Sequence, residues 1–220
     1  MTRKRKELFP HTITSVNEIT PGYFTVAFKR QFDFIPGQVV AVSFNNQDDP
    51  RLYSIAGGNQ NDTMRILFDV YPNGLLTPLL STAQVGDEIL VSEPFGKFTP
   101  STSEEWWIAT GTGIAPFVSM LESGIKSPQK FLHGSRTLNH FLFQDLFKEK
   151  LKDNYLRFCT KETGPEIIQG RLTHWLKEQD ELPKNFKYYL CGNPDMVVEV
   201  RDIILSKGVE FENIMAEIYF

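Results

Sequence analysis

The residues best suited to chemistry are Gly111-Thr112-Gly113-Ile114-Ala115-Pro116, which follow the apolar run Trp106-Trp107-Ile108-Ala109. An apolar strand, a turn with two glycines and a helix opening beside a proline offer free backbone N–H groups and a positive helix end, which is what a pyrophosphate requires. Gly111 and Gly113 fit the first two glycines of the dinucleotide fingerprint, and Pro116 stands in place of the third. About 25 residues further on, after Lys130-Phe131-Leu132-His133, comes Gly134-Ser135-Arg136, where an NAD site would carry an acidic residue for the ribose hydroxyls. Ser135 with Arg136 suits a 2′-phosphate instead, through charge-assisted contacts. That favours NADP over NAD.

A second group lies earlier, in Arg51-Leu52-Tyr53-Ser54. A flavin nucleotide needs a cation for its phosphates, a flat aromatic surface for its ring and a hydroxyl near its reactive nitrogen, and this run has all three. Period-two alternation puts Arg51 and Tyr53 on one side of a strand and Ser54 on the other. Taken by themselves, the four residues also read as a plain strand with an exposed Arg and a half-buried Tyr. In Gly74-Leu75-Leu76-Thr77-Pro78, Thr77 as N-cap and Pro78 at the first helical position predict a short helix with open N–H groups for an anion. Cys191, in Leu190-Cys191-Gly192-Asn193-Pro194, ends an apolar strand before a helix and alone reads as a small buried hydrophobe. Trp106 and Trp107 read as core and His133 as a strand end. His140 and His174 lack metal-ligand spacing, and no metal site is expected. The run Arg3-Lys4-Arg5-Lys6 reads as a solvated tail, with attraction of an acidic redox partner the minor reading.

These residues need two kinds of scaffold. Up to about Thr99 the pattern is β: segments 11–16, 23–28, 39–44, 51–56, 64–70 and 88–91 are rich in β-branched and aromatic residues and are separated by glycine and proline turns. Six such strands predict a small closed antiparallel barrel. From Glu104 onward strands at 106–109, 130–133, 155–159, 187–190 and 214–218 alternate with helical segments at 117–121, 140–150, 172–177 and 196–207. That alternation predicts a doubly wound parallel five-stranded sheet. The boundary is placed in the polar stretch Pro100-Ser101-Thr102-Ser103, giving domains 1–101 and 102–220.

A chain of 220 residues with 41% hydrophobic content and net charge −4 has the size for two small domains. It contains no run of about 18 apolar residues and no apolar signal-peptide core after its first residues, so a cytoplasmic protein is expected, without a membrane or nucleic-acid partner. Its two cysteines, Cys159 and Cys191, exclude a four-cysteine cluster within the chain, so any iron–sulfur centre would sit on a partner.

The motifs Arg-x-Tyr-Ser at 51–54, Gly-x-x-Thr at 74–77, Gly-Thr-Gly-Ile-Ala-Pro at 111–116, Cys-Gly-Asn-Pro at 191–194 and the terminal Ala216-Glu217-Ile218-Tyr219-Phe220 together resemble the ferredoxin/flavodoxin–NADP reductase family, bacterial type, over nearly the whole chain. The resemblance implies FAD on the barrel and NADP(H) on the α/β domain. It implies that Arg51 and the turn of Gly74, Leu75, Leu76 and Thr77 hold the FAD diphosphate, that Tyr53 stacks on the isoalloxazine, and that Leu52, Ser54, Thr112 and Phe220 complete the flavin site. It implies Gly111, Thr112 and Gly113 for the NADP pyrophosphate, Ser135, Arg136, Lys161 and Arg171 for the 2′-phosphate, and Cys191, Gly192 and Asn193 near the nicotinamide. Ser54, Cys191, Glu217 and Tyr219 are implied at the reacting atoms, Cys191 as a positioning contact and Glu217 as a proton relay. The implied reaction is hydride transfer between NADPH and FAD coupled to one-electron exchange with ferredoxin or flavodoxin, by a monomer. A reductase component of an oxygenase or cytochrome system, a flavin reductase using free flavin, and a nucleotide-binding subunit without turnover are the alternatives.

Overall fold

A computed structural model describes residues 6–218. Arg3, Lys4, Arg5, Tyr219 and Phe220 lie outside the described residues; of the basic tail, Lys6 is described, with its ammonium 4.2 Å from the centre of the Phe95 ring. The chain forms two compact units, residues 1–99 with 115–124, and residues 100–114 with 125–220.

The first unit is an antiparallel barrel. Its strands are β1 (Leu8–Thr20), β2 (Tyr23–Lys29), β3 (Val39–Ser43), β4 (Arg51–Ser54), β5 (Thr63–Asp69) and β6 (Glu88–Ser92), with the helix α1 (Thr77–Thr82) before β6. The sheet order is β4-β3-β6-β1-β2-β5, and the long β1 serves both halves by pairing with β6 over its first residues and with β2 beyond Ile13. The two outer strands approach through a bridge between Ile55 and Ile66. Alternate residues enclose a core of Ile13, Val26, Phe28, Val40, Ile66 and Val91, all at most 1% exposed. Helix α2 (Ala115–Glu122) packs in the same unit, with Phe117 edge-on to Phe98 at 5.7 Å.

The second unit is a parallel sheet of β7 (Glu105–Thr110), β8 (Lys130–Ser135), β9 (Tyr155–Cys159), β10 (Ile167–Gln169), β11 (Lys187–Gly192) and β12 (Ile214–Ile218) in the order β10-β9-β8-β7-β11-β12. Helices α3 (Gln144–Leu151), α4 (Leu172–Glu178) and α5 (Pro194–Ser206) belong to this unit. Six strands replace the five expected: β10 is three residues long, too short to display alternation, and pairs in parallel with β9. The helix expected from residue 140 begins at Gln144 instead, because Phe143 takes a left-handed turn (φ 55°) after the buried Phe141 and Leu142. Trp106 and Trp107 are core residues, and the buried Glu105 accepts from Trp107 Nε1 at 2.8 Å and from the Ser101 amide and hydroxyl at 2.9 Å, which ties the expected linker to β7. Among the described residues no helix is long and apolar enough to cross a membrane, and no cluster of potential metal ligands occurs.

His133 lies inside β8 and is fully buried, not at a strand end. Its Nδ1 lies 2.7 Å from the Tyr155 hydroxyl, its Nε2 has no partner, and Phe131 stacks on it at 5.7 Å. Burial first, and the nearby Arg157 guanidinium second, push its pKa down to about 3. The folded state therefore keeps His133 neutral where the unfolded chain, with a value near 6.5, takes up a proton. This site contributes stability above pH 6.5 that is lost as pH falls toward 3, with a slope approaching about 1.4 kcal/mol per pH unit. In denaturant titrations across this range, His133→Phe is expected to flatten the acid limb while costing about 1–3 kcal/mol at neutral pH through the unpaired Tyr155 hydroxyl.

Candidate functional site

In the barrel, the Arg51–Ser54 segment is the edge strand β4, paired with β3 in the register Val42 to Arg51, Ala41 to Leu52, Val40 to Tyr53 and Val39 to Ser54. Arg51 is exposed, Leu52 is 56% exposed, Tyr53 is half-buried and Ser54 is buried. The Tyr53 ring sits edge-on to Phe68 at 6.2 Å, and burial raises its hydroxyl pKa far above the ordinary tyrosine value, so the phenol stays neutral. The strand thus offers a neutral aromatic body, an exposed cation and an exposed leucine along four residues.

Thr77 does not cap α1. The N-cap is Leu76, without a side-chain cap, and the Thr77 hydroxyl accepts instead from the Tyr71 N–H at 2.9 Å. The Gly74 N–H donates to Tyr71 O at 2.8 Å in the same turn, so the hydroxyl closes the preceding loop instead of capping the helix. A Cβ at Gly74 would lie 3.0 Å from Tyr71 O, which is why a glycine occupies the turn. Leu75 is 73% exposed and Leu76 is buried.

In the parallel sheet, β7 ends at Thr110 and runs into a 3₁₀ turn over Gly111–Ile114. From β7 the chain crosses to β8 on one side and later to β11 on the other, which makes the carboxyl ends of β7 and β11 the topological switch point where such sheets bind nucleotides. Backbone meets backbone there. A Cβ on Gly113 would lie 2.4 Å from Cys191 O and 2.5 Å from Gly192 Cα, and one on Gly192 (φ 134°) would lie 2.5 Å from Thr110 O. Gly111 has open space around it and is required for its φ of 57°. The Asn193 N–H donates to Thr110 Oγ1 at 3.2 Å, and its Oδ1 accepts from the Asp195 and Met196 amides, so the Asn193 side chain caps α5. Cys191 is fully buried on β11, in register with Ala109 on one side and Glu217 on the other.

The remaining cations gather along the same edge. The Thr160 N–H donates to Ser135 O at 3.2 Å, the Lys161 N–H to Arg136 O at 3.0 Å and the Gly170 N–H to Cys159 O at 2.8 Å. These bonds bring Arg136, Lys161 and Arg171 to the carboxyl ends of the adjacent strands β8, β9 and β10. All three side chains are exposed, and none is ion-paired with a described carboxylate. The Ser135 hydroxyl donates to Thr137 O at 2.9 Å and shapes the turn that carries Arg136. A glycine cradle at the switch point with three exposed cations beside it, none of them in a salt bridge, fits a dinucleotide carrying an extra phosphate. Sequence reading did not single out Thr110, whose hydroxyl laces the two strand ends together; its place immediately before Gly111 was the available signal.

The two glycine requirements separate on substitution. Gly113→Ala, which drives a Cβ into backbone that cannot shift, is expected to cost about 1–3 kcal/mol in urea unfolding and to abolish nucleotide binding. Gly111→Ala, which meets only backbone strain, is expected to cost about 1–2 kcal/mol.

Comparison with known proteins matches two parts of the chain to two domain families. Residues 13–99 match the oxidoreductase FAD-binding domain and residues 107–202 the oxidoreductase NAD-binding domain. The chain is 27% identical to the toluate 1,2-dioxygenase electron transfer component of Pseudomonas putida, over 93% of its own length but only 66% of that protein. It is 26% identical to the ferredoxin–NADP reductase of Azotobacter vinelandii, over 84% of this chain and 83% of that one. Its fold matches a ferredoxin–NADP reductase of Neisseria gonorrhoeae, solved with FAD and NADP, with a TM-score of 0.86 at 22% identity over 97% of this chain and 99% of that one. With one cofactor domain on the barrel and the other on the parallel sheet, the chain belongs to the ferredoxin–NADP reductase family of FAD- and NAD(P)-binding oxidoreductases.

Proposed function

We propose that this chain is an NADPH-dependent reductase that passes electrons through FAD to a small redox protein, ferredoxin or flavodoxin. Residues 1–101 take FAD and residues 102–220 take NADP(H). The observation that carries the reading is the trio Arg136, Lys161 and Arg171, three exposed cations at adjacent strand ends that form no salt bridge with a described carboxylate. NADH leaves such a cluster unsatisfied, whereas a 2′-phosphate neutralises it.

When bound, FAD supplies the conversion of a two-electron hydride into single electrons, and the protein's part is binding, orientation and exclusion of water. Arg51 holds the flavin pyrophosphate together with the turn of Gly74, Leu75, Leu76 and Thr77. Tyr53, kept neutral by burial, provides a stacking surface for the ring, and Ser54 a hydroxyl for its reactive edge, beside Leu52. Gly111, Thr112 and Gly113 direct backbone N–H groups to the NADP pyrophosphate, beside Gly192 and Asn193. Cys191, at the buried end of β11, packs against the nicotinamide as a positioning contact. Glu217, in register beside it, is the proton relay, and Tyr219 is the terminal aromatic assigned to the nicotinamide.

A second reading, the reductase component of an oxygenase, is favoured by one observation: the toluate dioxygenase component matches 93% of this chain. It changes the acceptor and leaves the flavin chemistry intact. Arg136→Ala tests the cofactor assignment. Steady-state kinetics are expected to show KM for NADPH raised about 10- to 100-fold, in line with loss of a charge-assisted bond, and KM for NADH unchanged. Equal effects on the two nucleotides would remove the 2′-phosphate role.

A further inference from the structure

The segment Arg51–Ser54 is short and at a sheet edge, with a ladder only on its β3 side. A four-residue edge strand is weakly held by its own hydrogen bonds. The residues that follow it are held much more firmly. The Ile55 N–H donates to Gln38 O at 3.0 Å and the Ala56 N–H to Arg65 O at 2.7 Å. Arg65 answers with Nε and Nη2, both on Ala56 O, at 2.9 and 2.6 Å. The same Nη2 lies 2.6 Å from Glu122 Oε1 near the end of α2, and Glu122 Oε2 accepts from the Gly58 N–H at 3.1 Å. Ser119, on the preceding turn, donates to Gly57 O at 2.8 Å, and Ser123 Oγ accepts from the Asn59 N–H at 2.9 Å. A Cβ on Gly58 would lie 2.9 Å from Glu122 O, so the loop backbone lies directly on the helix.

Each residue from 55 to 59 therefore has a backbone group taken by Gln38, Arg65 or the last turns of α2. The Arg65 and Glu122 side chains are only 27% and 24% exposed, so water screens this pair less than an open surface pair. The guanidinium also spans the place where the barrel's two outer strands approach, since Arg65 neighbours Ile66 of the Ile55–Ile66 bridge. A clasp meant only to attach α2 to the barrel needs no bidentate grip on Ala56 O, two residues beyond Ser54.

We propose that Arg65, Glu122 and Ser119 form a clamp that fixes the carboxyl end of the flavin strand, making them positioning residues for FAD. The proposal rests on the assignment of Arg51–Ser54 to the flavin. The clamp acts through Tyr53 and Ser54: with residues 55–58 held, the two side chains are preorganised, and the cofactor does not have to order an edge strand on binding. Loosening the clamp raises the FAD dissociation constant and changes the environment of the ring.

The test uses the full chain stripped of FAD, titrated with FAD and followed by flavin fluorescence, with the visible band shape and midpoint potential recorded after reconstitution. Arg65→Lys keeps the charge and loses the bidentate grip; Glu122→Gln leaves one of its two donors facing an amide NH₂. Each is expected to raise the FAD dissociation constant about tenfold and to shift the flavin potential, with the double variant no worse than either single one. Should either fail to fold, Ser119→Ala, which removes one neutral hydrogen bond, carries the same comparison with a smaller shift. An unchanged dissociation constant and potential, together with a lowered melting temperature, would overturn the clamp and leave a purely structural clasp. Failure of the unmutated chain to take up FAD would instead overturn the flavin assignment, and the proposal with it.

Discussion

The close approach of backbone to backbone at the ends of β7 and β11 constrains the parallel-sheet unit more than any other contact. Gly113 lies where a single added carbon would strike Cys191 O and Gly192 Cα, and Gly192 lies equally close to Thr110. Only a pair of facing glycines allows it. The turn after β7 thereby folds tightly against the end of β11, at the switch point of the sheet. Cys191 takes its place from the same packing: fully buried, it is fixed by the β7 and β12 ladders on either side and by the glycine that follows it.

The barrel solves a different problem. The residues we assign to the flavin lie on a four-residue edge strand that regular pairing secures along one side only, so the rest of the holding falls to side chains: Arg65 on the Ala56 carbonyl, Glu122 on Arg65 and the Gly58 amide, and Ser119 on the Gly57 carbonyl. The parallel sheet positions its ligand groups with glycines and strand ends, whereas the barrel positions its own with a charged network. The groups we assign to NADP follow the strand ends of the sheet, whereas those we assign to FAD lie along β4 itself, in register with β3.

What could be read in the sequence follows from which interactions are local. The alternation of Val39-Val-Ala-Val-Ser43 and the strand–turn–helix of 106–122 declare themselves because period and turn chemistry act within a few residues. The strand β10 escaped because three residues cannot show a period, and the start of α3 moved because Phe143 turns the chain in a left-handed conformation that no glycine announces. Thr77 has the residue type of an N-cap, yet its hydroxyl went to Tyr71, a donor six residues away that the capping rule does not consider. Arg65 and Glu122 lie 57 residues apart, and nothing in either neighbourhood links them. Arg136, Lys161 and Arg171 were legible as basic residues near a nucleotide motif; that they share one edge of the sheet depends on β8, β9 and β10 lying side by side.

The central claim is that one chain holds FAD and draws hydride from NADPH. The most direct test is the visible spectrum of the purified protein, followed without oxygen as NADPH and then NADH are added to separate samples. The account predicts flavin bands in the purified protein that bleach much faster with NADPH than with NADH. A protein with no flavin, or one bleached faster by NADH, would contradict it.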